Sequence, residues 1–356
     1  MNVRFGDDPN DVGIIWRSRD NRKGRNSVVV PRASMAYPNL PPKNRPVYSS
    51  SFRGVGRNFY RMVFTFPYWD MAFWSGWSYT WGSVLFTIDS AWGWIPTGWG
   101  LDLGGITTYG VGILFFIGAL FYQVGATMAY LEAVNDGSFH GSAMKRFLEG
   151  HEEDKKKSRL ENIASARTPR LDIPRRQAAR SSPRRCESHE YLTWRWWPTW
   201  EALRNHHIYE IGYIACSVQL FGATLYTWCG VVSIPGISSQ FNAPQEYGAY
   251  YFPEILGSCC FLTASLMFLL ETQERWWQIQ PNVVGWWIGV WAMVGSVGFL
   301  LIGVFGVINE ATGAHWALYQ SGLSGTWGSF AYLLSSLCQW YEAVNKHPVE
   351  EVSVNH

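Results

Sequence analysis

Three glutamates in this chain are spaced for chemistry. Glu132, Glu271 and Glu342 each follow a glycine by fourteen residues, after Gly118, Gly257 and Gly328. Each closes an apolar run of helical length, which places all three at helix C-termini on one level. A carboxylate is disfavoured there by a few tenths of a kcal/mol to about 1 kcal/mol, because the helix macrodipole is negative at that end. Asp70 and Glu210 stand twelve residues before Gly82 and Gly222, at the beginnings of two other runs. Together the five form a cytoplasmic-face carboxylate ring. With His206 and His207 beside Glu210, and His207 on its helical face, the chemistry of such a ring would be cation or proton binding. Ordinary pairing accounts for the same residues. Asp70 and Glu210 would be N-caps, Glu271 and Glu342 would meet Arg or Lys across unit boundaries, and Val283 breaks the pattern in the third unit. Replacing Glu132, Glu271 and Glu342 by Gln separates the two readings.

Little else in the chain has the spacing of a reaction centre. There is no phosphate-cradling glycine loop, HExxH, nucleophile elbow or Ser/His/Asp set that one membrane face could assemble. Four cysteines (Cys216, Cys229, Cys259, Cys260) lie in apolar runs, Cys338 lies near the end of the last run, and only Cys186 is in a polar loop. That distribution gives neither a disulfide framework nor zinc spacing. No catalytic residue, cofactor or metal is assigned, and the chain reads as a non-enzyme. The apolar runs also read as free of the mid-membrane charges that mark ion paths.

The elements that must position these residues come from a repeat. Gly118-Ala119, Gly257-Ser258 and Gly328-Ser329 are each followed seven residues later by a small pair: Gly125-Ala126, Ala264-Ser265 and Ser335-Ser336. An aromatic stands four residues after each Gly, at Tyr122, Phe261 and Tyr332. A preceding helix repeats as well, through Gly82-Ser83, Gly222-Ala223 and Gly295-Ser296, with Phe86, Tyr226 and Phe299 four residues after the Gly. One unit is therefore used three times. Small residues seven apart lie two turns apart on one helix face, so Gly82, Gly118, Gly125, Gly222, Gly257, Gly295 and Gly328 are read as helix-packing positions where backbones approach closely.

The 356 residues, 47% of them hydrophobic, could in principle form soluble domains, but the apolar residues gather in six runs, near 69–88, 107–131, 207–232, 251–270, 283–307 and 322–341. Each suits a hydrocarbon layer of about 30 Å. Many of the 21 tryptophans flank these runs, where indole rings favour the headgroup zone. All 29 Lys and Arg residues fall in the N-terminal region, the 136–205 loop, the 272–282 connection or the C-terminal tail. The connections near 89–106, 233–250 and 308–321 carry Asp89, Asp102, Glu246 and Glu310 but no Lys or Arg. The positive-inside rule then puts both termini in the cytoplasm.

The expected fold is an all-α membrane protein with six transmembrane helices as three parallel two-helix hairpin repeats. A disordered basic cytoplasmic tail (1–61) leads to repeat 1 (62–135). A disordered charged cytoplasmic loop (136–193) and an interfacial Trp-rich segment (194–206) precede repeat 2 (207–274) and repeat 3 (280–346), and 347–356 form a cytoplasmic tail. The loop carries Lys155-Lys156-Lys157, Arg175-Arg176 and Arg184-Arg185. Anionic lipid would attract it by about 1 kcal/mol per basic residue near the surface. The partners read from sequence are membrane lipids, with no nucleic acid and no defined protein.

Residues 194–210 (WRWWPTWEALRNHHIYE), the block Leu269-Leu270-Glu271-Thr272-Gln273 and the tail from Gln339 to Glu350 resemble a family of fungal multi-pass integral membrane proteins without assigned activity. The individual hairpins are similar to the two-helix YrhK-like domain through the Gly-small pair in each helix. Neither resemblance implies a catalytic residue. The resulting expectation is a scaffold or regulatory membrane protein whose cytoplasmic loop binds lipid or a partner. The alternative is a small-solute or cation transporter or channel through the bundle centre, with a membrane enzyme working at the carboxylate level as the third reading. A continuous polar cavity reaching both faces would favour the transporter, and a dry, Gly-packed centre the scaffold.

Overall fold

The computed structural model describes residues 2–4, 12–16, 28–31, 52–135, 194–205, 211–273, 276–279, 281 and 284–345. Within the region read as a disordered tail, β1 (Asn2–Arg4), β2 (Val12–Trp16) and β3 (Val28–Pro31) pair in an antiparallel sheet of order β1-β2-β3. Val3 lies opposite Ile15, and Ile14 opposite Val29. Short β-branched runs supply that pairing. The loop 136–193 and the tail 347–356 lie outside the described residues.

From Phe52 onward every regular element described is helical. An amphipathic helix α1 (Phe52–Phe64) precedes α2 (Met71–Trp99), α3 (Ile106–Val134), a short α4 (Trp200–Asn205), α5 (Ile211–Val232), α6 (Ala243–Thr272), α7 (Val284–Thr312) and α8 (His315–Val344). Four of them, α3, α5, α6 and α7, are long and apolar enough to cross a membrane, and they mark the chain as a membrane protein. Helices α2 and α8 have 29 and 30 residues but are rich in Trp, Tyr, Ser and Gly, which lower a hydropathy average without adding charge.

The helix ends have local causes. Asp70 caps α2 by accepting the Ala72 N–H at 3.0 Å, and Gly100 ends it in the left-handed conformation at φ 67°, which only glycine adopts freely. Asn242 and Gln245 form a reciprocal capping box at the start of α6, satisfying two otherwise orphaned donors. The connections are shorter than the sequence reading expects. Residues 100–105 join α2 to α3, 233–242 join α5 to α6, and Gly313 with Ala314 alone join α7 to α8. We call the side of these turns the turn face, and the side of the helix starts at Met71, Ile211 and Val284 the terminal face.

Sequential long helices pack antiparallel, α2 on α3, α3 on α5, α5 on α6, α6 on α7 and α7 on α8, and α8 closes against α2. The product is a ring of six. Its interior includes small polar side chains: Ser75, Ser83, Ser258, Ser296 and Ser329 are fully buried. Its outer wall exposes Trp81, Ile113, Leu120, Phe221, Leu266, Val304 and Phe330. In water such a distribution would be a large apolar liability. In lipid, where close packing and interhelical hydrogen bonds drive association, it is the expected polarity.

Candidate functional site

The centre of the ring is aromatic. Phe86, Tyr122, Tyr226, Phe261, Phe299 and Tyr332, one from each long helix, share a single buried cluster. Within hairpins the ring centroids are 5.0 Å apart for Phe86 and Tyr122, 5.1 Å for Tyr226 and Phe261, and 5.0 Å for Phe299 and Tyr332. Between hairpins, Tyr122, Phe261 and Tyr332 form a nearly equilateral triangle with sides of 5.9, 6.3 and 6.3 Å. Phe299 also contacts Phe86 at 5.6 Å and Tyr226 at 5.5 Å. These separations lie in the favourable range for edge-on and offset rings. The layer fills the axis.

Hydrogen bonds fix the layer in place. Tyr122 Oη is 2.7 Å from Ser83 Oγ, Tyr226 Oη 2.6 Å from Ser258 Oγ, and Tyr332 Oη 2.6 Å from Ser296 Oγ. Ser258 and Ser296 donate to the carbonyls of Glu254 and Ala292 four residues back, so in those pairs the tyrosine is the donor. The glycines make the rings fit. A methyl group on Gly82 would lie 2.5 Å from the Tyr122 ring, on Gly118 2.9 Å from Phe86, on Gly257 2.8 Å from Tyr226 and on Gly295 2.6 Å from Tyr332. Gly125 faces Tyr79, Gly222 faces Cys260 and Phe261, and Gly328 faces the backbone of Gly298.

On the terminal side of this layer lies a cavity of about 40 Å³, lined among others by Tyr79, Gln219, Ser265, Ser335, Ser336 and Gln339. Tyr79, Gln219 and Ala292 each stand three residues before the glycine of a first helix, and all three line it. Gln339 Nε2 donates to Ser75 Oγ at 3.0 Å. Tyr122 and Tyr332 belong both to the lining and to the aromatic layer, which forms the cavity's inner wall.

The carboxylates singled out from sequence lie at the terminal-face ends of separate helices. Asp70 caps α2, Glu132 is buried near the end of α3, and Glu271 and Glu342 are half-buried near the ends of α6 and α8. All four have interaction partners. Glu210, His206 and His207 lie outside the described residues. Among the described residues no group of three or more His, Cys, Asp or Glu could hold a metal ion.

Two buried acids lie inside long helices, against the expectation of runs free of charge. Asp89, assigned from sequence to a connection, lies inside α2, because that helix runs on to Trp99. Glu254 lies inside α6. They are 7% and 1% exposed. The signal was available in the register. Asp89 stands three residues after Phe86 and Glu254 three before Gly257, both on faces directed at the axis. Nearby, residues 247–251 of α6 form a π turn, whose displaced carbonyls accept from α5: Ala249 O from Trp228 Nε1 at 2.8 Å and Tyr250 O from Cys229 Sγ at 3.5 Å.

At the terminal face, two asparagines beyond helix ends hold the segments that lead into other helices. Asn135 accepts the Arg195 N–H and donates to the Arg195 carbonyl, both at 3.0 Å. Asn345 donates to the Asn58 carbonyl at 3.2 Å, while Asn58 donates to Tyr341 Oη at 3.0 Å. Asn135 and Asn345 each lie three residues after a repeated glutamate. The segment held by Asn135 exposes Trp196, Trp197 and Trp200. No protein-family model, curated protein or solved structure matches the chain, so the family resemblances rest on the residue blocks that carry them.

Proposed function

We propose that the chain is a six-span membrane protein of three hairpin repeats set around a closed centre. It serves as a scaffold or regulatory component of its membrane, has no catalytic chemistry of its own, and binds anionic lipid through its charged loop. The observation that carries this reading is the aromatic layer: repeat-equivalent side chains from all six long helices meet on the axis. The contacts between hairpins support the repeat as well. Gly76 and Gly289, each six residues before a first-helix glycine, meet the backbones of Trp340 and Leu269, each twelve after a second-helix glycine. The absence of Lys and Arg from the three turn-face connections supports an orientation with both termini and the loop in the cytoplasm. Glycan acceptor sites inserted near Gln240 test it: modification there, with none in the 136–193 loop, is expected. Glycosylation of the loop would reverse the orientation.

For the lipid role, the whole protein is placed in nanodiscs with or without phosphatidylserine and exposed to trypsin. Anionic lipid is expected to slow cleavage of the 136–193 loop several-fold, and neutralising Lys155, Lys156, Lys157, Arg175 and Arg176 to abolish that protection. Equal cleavage in both lipids would end the lipid-binding reading.

The polar cavity against the terminal side of the aromatic layer favours a second reading, transport of a small solute or cation by opening that layer. Proteoliposomes decide between them. Flux equal to that of empty vesicles is expected for a closed scaffold, and saturable flux that disappears on bulk replacement at Ser265 or Gln339 would establish the transporter.

A further inference from the structure

Immediately on the turn side of the aromatic layer, about one helical turn or 5 Å along the axis, lie two carboxyl groups that the ring's architecture does not use. Glu254 is 1% exposed and Asp89 7%, and among the described residues neither Glu254 Oε2 nor Asp89 Oδ1 has a hydrogen-bond partner. Gly303 of α7 lies beside Glu254 and leaves room for its neighbour Ile255: a methyl group there would meet the Ile255 side chain at 2.7 Å and Oε2 at an ordinary contact distance of 3.6 Å. The two acids are within electrostatic range of each other. Both belong to helix faces directed at the axis, and neither helix contains a Lys or Arg.

Among the described residues, the neighbours supply no counter-charge. On α5, Tyr226 and Cys229 are in electrostatic range of Glu254. On α6, Tyr250 is in range of both acids, and Tyr251 of Glu254. Glu246 of α6 and Glu310 of α7 lie further out and also face Tyr251. From α8 comes Tyr332, which faces Tyr226. Each of these groups is neutral or anionic. A lone carboxylate near the centre of a membrane helix is disfavoured by several kcal/mol, so two of them without a base require a cationic ligand. Hard metal ions take about six or more oxygen ligands, and no group of three or more acidic, His or Cys side chains is gathered among the described residues. A proton needs one oxygen.

We propose that Asp89 and Glu254 form a proton-binding carboxyl pair on the turn side of the aromatic layer, separated by that layer from the polar cavity on the terminal side. This site is distinct from the carboxylates at the helix ends. It stands whether or not the ring conducts anything, because it depends only on the burial and open valences of the two acids.

The test uses the full-length protein in nanodiscs, treated with dicyclohexylcarbodiimide, an apolar reagent that modifies carboxyl groups in their protonated form within hydrocarbon. Peptide mapping by mass spectrometry is expected to find the adduct on Glu254, decreasing at least tenfold from acid to alkaline pH. It should be lost in Glu254→Gln and unaffected by sodium or calcium ions at fixed pH. Asp89→Asn should change the pH at which labelling falls, since it removes the neighbouring acid. Infrared difference spectra of the unmodified protein between the same pH values provide a measurement that needs no variant to fold, and should show a protonated-carboxyl band. No labelling of Glu254 with no such band, or labelling independent of pH, overturns the proposal. Several-fold protection by sodium or calcium overturns it in favour of a metal-ion site.

Discussion

The three tyrosines of the aromatic layer follow a rule that only a hydrogen bond explains. In the first hairpin Ser83 and Phe86 on α2 face Ala119 and Tyr122 on α3; in the second the helices exchange roles, with Ala223 and Tyr226 on α5 facing Ser258 and Phe261 on α6. The third hairpin returns to the first order, Ser296 with Phe299 opposite Tyr332. Wherever a tyrosine stands, the facing helix supplies the serine. Interhelical hydrogen bonds in membranes average about 0.6 kcal/mol and reach about 1.7 kcal/mol, so Tyr226→Phe should cost an amount in that range. Ser258→Ala should cost more, about 1–3 kcal/mol, because it leaves the buried Tyr226 hydroxyl without its partner. The fourfold exchange Ala223→Ser, Tyr226→Phe, Ser258→Ala, Phe261→Tyr rebuilds the bond in the order of the first hairpin and should restore most of the loss. Equilibrium unfolding in mixed micelles measures all three. A fourfold variant no more stable than Ser258→Ala would show that the exchange has another cause.

At the scale of elements, the interior facing the axis was legible and the ends of helices were not. Gly and aromatic residues at fixed spacing marked the six positions whose side chains the structure brings together on the axis, because a helix carries the four-residue step onto one face. Hydropathy placed the first run's end at residue 88, so Asp89 was assigned to a connection; backbone hydrogen bonding instead carries α2 on to the left-handed Gly100. Glu254 was hidden because a single acid hardly changes the average of a long apolar run. The asparagine clamps were also beyond reach, since Asn135 and Arg195 are sixty residues apart and nothing local announces their pairing. That clamp fixes how the tryptophan segment lies on the end of α3. Asn135→Ala removes two hydrogen bonds to the Arg195 backbone and should cost about 1–2 kcal/mol locally, detaching the segment without unfolding the ring. Trypsin cleavage at Arg195 should then rise severalfold while the melting temperature changes little. A Tm drop comparable to that of Ser258→Ala, without faster cleavage, would mean that Asn135 supports the whole bundle instead.

For the whole molecule, what distinguishes this architecture from three hairpins side by side is closure. An open row of helices would leave α2 and α8 with unpaired inner faces, exposing the buried serines of both to lipid. Closure instead brings Gly76 against the Trp340 backbone, Gln339 against Ser75, and Ser90 Oγ to within 3.3 Å of Ser329 Oγ. It also leaves the aromatic layer no gap, since Tyr332 of the last helix completes the triangle with Tyr122 and Phe261. A disulfide needs Cβ atoms about 3.5–4.5 Å apart, a separation that oxygens this close permit. Ser90→Cys combined with Ser329→Cys should therefore join α2 to α8 on mild oxidation. Cleavage in the 136–193 loop then supplies the readout, because it divides the chain between those two positions. Oxidised double variant should run on a non-reducing gel at the mass of one uncut chain, and separate into two fragments on reduction. Each single variant should give two fragments under both conditions, despite the native Cys186, Cys216, Cys229, Cys259, Cys260 and Cys338. Fragments that separate without reductant would leave the ring open between its first and last long helices, and with it the axis that the aromatic layer closes.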